Sequence, residues 1–332
     1  MIKDKIDVAI IGCGAIAQHA HIPSCIDIDD IELKYLVDTN FDLAKKLSSQ
    51  LMIGEPVNDI QSIIGKVDAA IIALPHKLHH PITVELLNQG LHVLVEKPMA
   101  LTLDGANEMI KIASRNKKIL AIGHFWRYQP EFKLVKRVID EEWLGKVVSF
   151  EGEEGIIFSS PISSPAMFVK EMGGGGALAD MGPHMLDILV WWFGDYRDVE
   201  YWDDECGGVD ANCKMNLVFR NGIAGKAKFS RMRTLKNQIK IVFENGVLEV
   251  PISYDGKAKM LINDSDIAVH LHSTIKTSKR EANWPNFMKM ELENFARSVM
   301  GKEKYEIDAQ EASISVRLIE ECYANRNYYK PY

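Results

Sequence analysis

The chain has 332 residues, 47% of them apolar and 26% charged, with a formal net charge of -7. That length accommodates two domains and a large core, and the acidic balance argues against nucleic acid as a partner. No run of ~18 apolar residues occurs, so no membrane span is expected. The start, Met1 to Ile6, runs into a strand pattern without the long apolar region of a signal peptide. The five cysteines (Cys13, Cys25, Cys206, Cys213, Cys322) are odd in number and form no C-x-x-C pair. That suits a reduced, cytoplasmic protein with free thiols.

Taken in order, Ile6 to Ile11 reads as a buried strand. It ends in Gly12-Cys-Gly14-Ala15-Ile16-Ala17, and a helical stretch comes next. This is G-x-G-x-x-A in the dinucleotide-fingerprint context of strand before and helix after. Gly12 permits the tight turn, and Gly14 lets the backbone approach a pyrophosphate at the helix N-terminus. A second strand, Ile31 to Val37, ends in Asp38, placed to accept ribose hydroxyls and to repel a 2′-phosphate. The expected cofactor is therefore NAD in preference to NADP.

Strand and helix patterns then alternate. Asp42 to Gln50 is helical, Val57 lies in a short strand, and Asp59 to Ile64 is a short helix. Val67 to Leu74 is a strand closed by Pro75, His80 to Gln89 is helical, and Leu91 to Val95 is a strand. Leu103 to Asn116 is the next helix and Ile119 to Gly123 the next strand. Such alternation means a doubly wound parallel sheet, whose ligands bind at the carboxyl ends of the strands. Gly12, Asp38, Pro75, Glu96-Lys97-Pro98 and His124 stand at those ends. Lys97 there can bind phosphate, hold a substrate hydroxyl or simply be solvated, and Glu96 is placed to fix its ammonium. The histidines His76, His79 and His80 are clustered, but no cysteine or carboxylate converges on them, so no metal site is assigned.

Beyond Gly123 the composition changes. Pro130 to Glu142 is helical and Gly145 to Ile157 alternates like a strand. Ser159 to Pro165 is a turn-rich loop suited to lining a substrate site. Four glycines, Gly173 to Gly176, fit no element interior and mark a turn where backbone comes close to something. Leu178, Met181, Met185, Leu189 and Trp192 then recur as the apolar face of a helix that contains Pro183. Asp180 and His184 share one side of it, a carboxylate placed to orient an imidazole for proton transfer. Strand patterns come after it at Asp198–Trp202, Ala211–Phe219, Ala224–Arg231, Asn237–Phe243 and Gly246–Val250. Arg220-Asn-Gly222 and Glu244-Asn-Gly246 are hairpin turns between them. Phe287 to Met300 and Ala309 to Asn325 are closing helices. The result is an α+β unit whose large, mostly antiparallel sheet is covered on one face by the Ala177–Phe193 helix. Val218, Ala227 and Ile241 are candidates for burial on the other face, through which a homo-dimer or homo-tetramer would form. The aromatics Trp126, Tyr128, Trp191, Trp192 and Trp284 read as core.

Several motifs occur together and in order: Gly12-x-Gly14-x-x-Ala17, Ala73-Leu74-Pro75 with His79, Glu96-Lys97-Pro98, Arg127 in His-Phe-Trp-Arg-Tyr-Gln-Pro, and the four glycines leading to Asp180-x-Gly182-x-His184-x-x-Asp187. Together they resemble the glucose–fructose oxidoreductase / inositol dehydrogenase (Gfo/Idh/MocA) family across nearly the whole chain. The resemblance implies a dinucleotide-binding Rossmann domain over 1–123 and a substrate-binding and oligomerisation domain over 124–332, with the last helix packing back toward the first. It implies a cis Lys97–Pro98 bond and catalytic roles for Lys97, Asp180 and His184. Cofactor contacts are expected from Gly12, Gly14, Ala15, Ile16, Asp38, Leu74, Pro75, His76, His79, Glu96, Lys97 and Arg127. His76 departs from the asparagine that many members carry after the proline. The activity implied is hydride transfer between the nicotinamide and a carbinol carbon of a sugar, polyol or nucleotide-linked sugar. A non-catalytic NAD-binding sensor and an NAD-assisted glycosidase are the alternatives the family offers. The sequence does not choose between Lys97 and His184 as proton acceptor, nor name the substrate.

Overall fold

A computed structural model of the chain describes residues 4–157, 168–252, 257–263, 268–271 and 284–329. They form two compact units. One comprises the chain up to Phe125 with Trp284–Val316; the other begins at Trp126 and takes up the chain again at Arg317. The break within the final helix, Ala309–Ala324, means that this helix contributes to both. The loop expected over Ser159 to Pro165 and the Trp284 side chain lie outside the described residues.

The first unit holds six parallel strands: β1 (Ile6–Ile11), β2 (Ile31–Val37), β3 (Glu55–Val57), β4 (Ala69–Ile72), β5 (His92–Glu96) and β6 (Leu120–Gly123), in the order β3-β2-β1-β4-β5-β6. This is the doubly wound arrangement the alternation predicts. β4 is Ala-Ala-Ile-Ile, buried throughout, as befits a central strand covered on both faces. A π-helical turn, Ala17–His21, succeeds the β1 glycines and runs directly into α1 (Ile22–Ile26). The later helices are α2 (Phe41–Leu51), α3 (His76–Asn88) and α4 (Leu103–Asn116). α3 starts at His76, earlier than the expected His80, because Pro75 at its N-cap has φ −56° and needs no donor there. The order reverses between β1 and β4, so the switch-point crevice of such sheets lies beside Gly12 and Leu74.

The second unit contains α5 (Pro130–Asp140), β7 (Val147–Gly155), α6 (Lys170–Gly173) and α7 (Ala177–Phe193), and then β8 (Tyr196–Asp203), β9 (Asn212–Phe219), β10 (Ala224–Ser230), β11 (Gln238–Phe243) and β12 (Gly246–Pro251). Three short strands, β13 (Ala258–Ile262), β14 (Ala268–Leu271) and β15 (Asn327–Tyr328), were not legible in the sequence. Together they make one nine-stranded sheet, antiparallel except where β10 meets β7 and β15 meets β8. The two Asn-Gly hairpins join β9 to β10 and β11 to β12 as expected. α7 is continuous across Pro183 and packs on β9 and β10.

Register corrects the expected sheet faces. A Cβ on Gly152 would lie 2.6 Å from the Met185 sulfur, so Gly152 faces α7. Ala227 is paired directly with Gly152, and Ile241 with Phe150 two residues away. Both are therefore under α7 and fully buried. Val218 has the opposite parity and does lie on the other face, half-buried. The side-chain period of two makes a one-residue misreading reverse a strand's faces.

Candidate active site

In the first unit, the β1 turn is shaped around space. Gly12 has φ +95°, and a Cβ there would stand 2.3 Å from the Ala73 carbonyl oxygen, so any other residue is both strained and in collision. A Cβ on Gly14 would meet nothing within 4 Å. Ala15 and Ile16 open the helix, and Ile16 supplies no side-chain cap to it. Such an N-terminus offers main-chain N–H groups and a positive dipole end to an anion. Asp38 reaches this turn: its carboxylate accepts the N–H of Cys13 and of Asn40, each at 2.8 Å. Burial and the nearby Asp38 push the Cys13 thiol up to about 12, so it stays protonated in the turn.

On the other side of the switch point, the ends of β4 and β5 are bound together. The buried His79 ring lies between the Leu74 carbonyl at 2.7 Å and the Pro98 carbonyl at 2.8 Å. Burial pushes its pKa down against the pull of those two acceptors. His76 places its ring 5.6 Å from that of His79, and His80 pairs with Glu108 at the surface. The Lys97–Pro98 bond is cis, as the resemblance implied. Glu96 is buried with both oxygens engaged. Oε1 faces Nε2 of His21 at 2.8 Å, and Oε2 accepts the main-chain N–H of Lys97 at 3.2 Å. Burial raises the carboxyl's pKa, but the His21 hydrogen bond and the charges around it bring the net direction below the ordinary value. Sequence reasoning missed His21. Its one signal is a histidine that shares a helix face with Ala17, Ala20 and Ile22, all of them buried.

In the second unit, what presses on the last two of the four glycines is the chain itself. A Cβ on Gly176 would lie 1.8 Å from the Asp210 carbonyl oxygen, and one on Gly175 2.1 Å from the Tyr323 hydroxyl. The Asp210 carboxylate accepts the N–H groups of Gly176 (2.8 Å) and Leu178 (2.9 Å), and its main-chain carbonyl accepts that of Ala177. The Tyr323 hydroxyl accepts from Ala179 and donates to Asp210. The N-terminus of α7 is thereby closed by protein groups.

That closed start carries Asp180 and His184 into place. Asp180 forms an ion pair with Arg231 at 2.8 Å. His184 is buried and stacks on Trp126, with ring centroids 5.1 Å apart and planes 11° from parallel. Each motif residue is thus held by a partner remote in sequence, which the i, i+4 spacing did not reveal. Arg231 also borders a cavity of about 330 Å³ with Phe168, Val209 and Met232, a volume in the range that admits a small ligand. Arg127 makes a two-pronged, fully buried pair with Asp187 at 2.8 and 2.7 Å, and its guanidinium lies over Trp191. Trp126, Tyr128 and Trp192 are buried, as the core reading expected.

Comparison with known proteins agrees with these features. Residues 6–124 match the GFO/IDH/MocA oxidoreductase family, described as having an NAD-binding Rossmann fold, and residues 132–249 match the GFO/IDH/MocA C-terminal domain. D-glucoside 3-dehydrogenase of Escherichia coli is 28% identical over 197 residues, 58% of this chain and 56% of that protein. A levoglucosan dehydrogenase solved with NADH and levoglucosan superposes with a TM-score of 0.86 at 19% identity, covering 97% of this chain and 96% of the other. A 3-ketoreductase from Actinomadura kijaniata, solved with NADP and TDP-benzene, gives 0.83 at 21% identity, covering 98% and 100%. At that identity the two structures establish a shared fold.

Proposed function

This chain belongs to the GFO/IDH/MocA family of NAD-binding oxidoreductases, and from that premise we propose that it is a dehydrogenase of a sugar, polyol or nucleotide-linked sugar, using NAD in preference to NADP. The observation that carries the reading is the β1 turn. Gly12 packs against Ala73, Gly14 opens onto free space, and the Asp38 carboxylate is bonded to the turn itself. Those residues fit a dinucleotide: Gly12, Gly14, Ala15 and Ile16 hold its pyrophosphate, and Asp38 its adenosine ribose. A 2′-phosphate beside Asp38 would meet a like charge, at a cost on the order of 1 kcal/mol or more. Leu74, Pro75, His76, His79, Glu96 and Lys97 stand at the β4 and β5 ends and serve the nicotinamide half. Arg127 is proposed as a further cofactor contact, with its guanidinium oriented by Asp187.

Bound NAD supplies a hydride acceptor for the substrate's carbinol carbon. The hydroxyl proton must leave as the hydride does, because a free alkoxide is too basic to form unaided. His184 is our acceptor, an imidazole suited to that task near neutral pH. Stacking on Trp126 fixes its ring plane, and Asp180, held by Arg231, supports the substrate oxygen. Lys97, when charged, steadies the developing negative oxygen. Dinucleotide binding belongs to the first unit, substrate binding and assembly to the second. Assembly on this reading is a homo-dimer or homo-tetramer through the sheet face opposite α7, which carries Val218 and, farther along the strands, the Lys228–Glu153 ion pair. The five free cysteines suit a cytoplasmic setting. Among the described residues no helix is long and apolar enough to cross a membrane.

The test is NADH production across a panel of sugars, polyols and sugar nucleotides, with NAD and NADP compared. His184→Ala should lower turnover at least ~100-fold and leave NAD affinity unchanged. Turnover within a few-fold of the unsubstituted enzyme would remove His184 from the mechanism.

A further inference from the structure

The loop that carries Lys97 is anchored from an unexpected direction. His21 belongs to none of the motifs that identify the dinucleotide site. It closes the π-helical turn that succeeds the glycine fingerprint, and its side chain is wholly buried. A π-turn inserts one residue into a helix and rotates the residues after it, a feature often found at functional positions. Here it delivers the imidazole to Glu96, across the sheet from β1 to the end of β5. The imidazole's Nε2 is 2.8 Å from Oε1, while its Nδ1 is buried and has no hydrogen-bond partner among the described residues. The ring's polar contact is thus with Glu96.

Glu96 passes that constraint on. Its second oxygen takes the N–H of Lys97, and a Cβ on Gly123 would lie 3.3 Å from both its Cα and that oxygen. Glycine at 123 therefore leaves the room that the carboxylate occupies. A chain of contacts runs from the helix beginning at the pyrophosphate turn, through His21 and Glu96, to the main chain of Lys97. Resting on the cofactor reading above, we infer that His21 is a positioning residue for the nicotinamide half of the site. It acts through Glu96 to hold the Glu96-Lys97-Pro98 loop in register with the glycine turn.

Two probes separate this from a purely structural role. NADH needs both halves of the site. ADP-ribose needs only the glycine turn and Asp38, since it lacks the nicotinamide. The experiment measures both affinities for the full chain, His21→Asn, Glu96→Gln and the double variant, with His21→Gln as a second replacement and thermal melting as the check on folding. NADH affinity is expected to fall about 10-fold or more in His21→Asn, the range for a buried hydrogen bond to a charged group. ADP-ribose affinity should stay within about 2-fold, and the double variant should bind NADH no more weakly than Glu96→Gln alone, because the two residues act as one. Equal weakening of both probes, no weakening of either, or failure of both His21 variants to fold would overturn the inference and assign His21 to the core. An unsubstituted chain that binds neither probe would instead sink the cofactor reading itself.

Discussion

The molecule contains two glycine-rich turns that each open a helix, one in each unit, and they are built to opposite ends. After β1, Gly12 is pressed against Ala73, but Gly14 faces open space and no side chain of Ile16 caps the helix. Before α7, Gly175 and Gly176 are both in contact range of protein groups, and the helix's first N–H groups are taken by Asp210 and Tyr323. The same physics governs both, since the first N–H groups of any helix require acceptors from outside it. At the first turn the proposed acceptor is the dinucleotide's pyrophosphate. At the other the acceptors are a buried carboxylate and a phenol, and the helix so secured serves to present Asp180 and His184. Glycine content alone does not distinguish a ligand cradle from a packed corner.

Substitutions at the two turns sharpen that contrast. The largest effect is expected from Gly176→Ala. Its methyl would stand 1.8 Å from a main-chain oxygen, which cannot swing aside as a side chain would. We expect a loss of more than ~4 kcal/mol, read as failure to fold or as a collapse of the urea midpoint. Asp210→Ala comes next. It removes the carboxylate that accepts from Gly176, Leu178 and the Tyr323 hydroxyl, and should cost about 2 kcal/mol or more by chemical denaturation. Gly14→Ala should behave in the reverse manner: normal melting, with NADH affinity reduced ~10-fold or more because the methyl occupies the space of backbone approach to the pyrophosphate. An undiminished NADH affinity there would erase the distinction between the two turns.

The smallest effect concerns a main-chain N–H held by a titratable acceptor. Nδ1 of His92 accepts the N–H of Ile119 at 3.1 Å, which requires the unprotonated ring. Burial first, and Lys118 second, lower its pKa from 6.5 to about 4. A histidine with a depressed folded pKa contributes in full above pH 6.5, and that contribution is lost as pH falls toward 4. Between pH 7.5 and 4.5 the unsubstituted chain should therefore lose more stability than His92→Gln. The difference should be under about 1 kcal/mol, because the ring is part-exposed and screened. Equal pH slopes in the two proteins would contradict the assignment.

Much of the fold was legible because it is written in short-range chemistry. The strand–glycine–helix order around Gly12 to Ala17, the acidic end of β2 at Asp38, and the Asn-Gly turns at 221–222 and 245–246 each depend on neighbours within a few residues. Alternation of period then leads to a parallel sheet and after it an antiparallel one, as the structure has it. The faces of the second sheet were not legible, since parity alone decides whether Ala227 and Ile241 lie under α7, and parity needs the register. The partners of the site residues were not legible either. His21 meets Glu96 across 75 positions, Arg127 meets Asp187 across 60, and Gly176 meets Tyr323 across 147.

By itself, then, the sequence determined which residue types stand at the strand ends and at the start of α7, because turn chemistry and hydrophobic period are local properties of the chain. The tertiary structure alone decided what each of them touches. It gave Asp180 to Arg231, His184 to Trp126, Glu96 to His21, and Gly175 and Gly176 to Tyr323 and Asp210. The physical reason is that a buried polar group must find a partner wherever folding brings one, and distance along the chain places no limit on where that is.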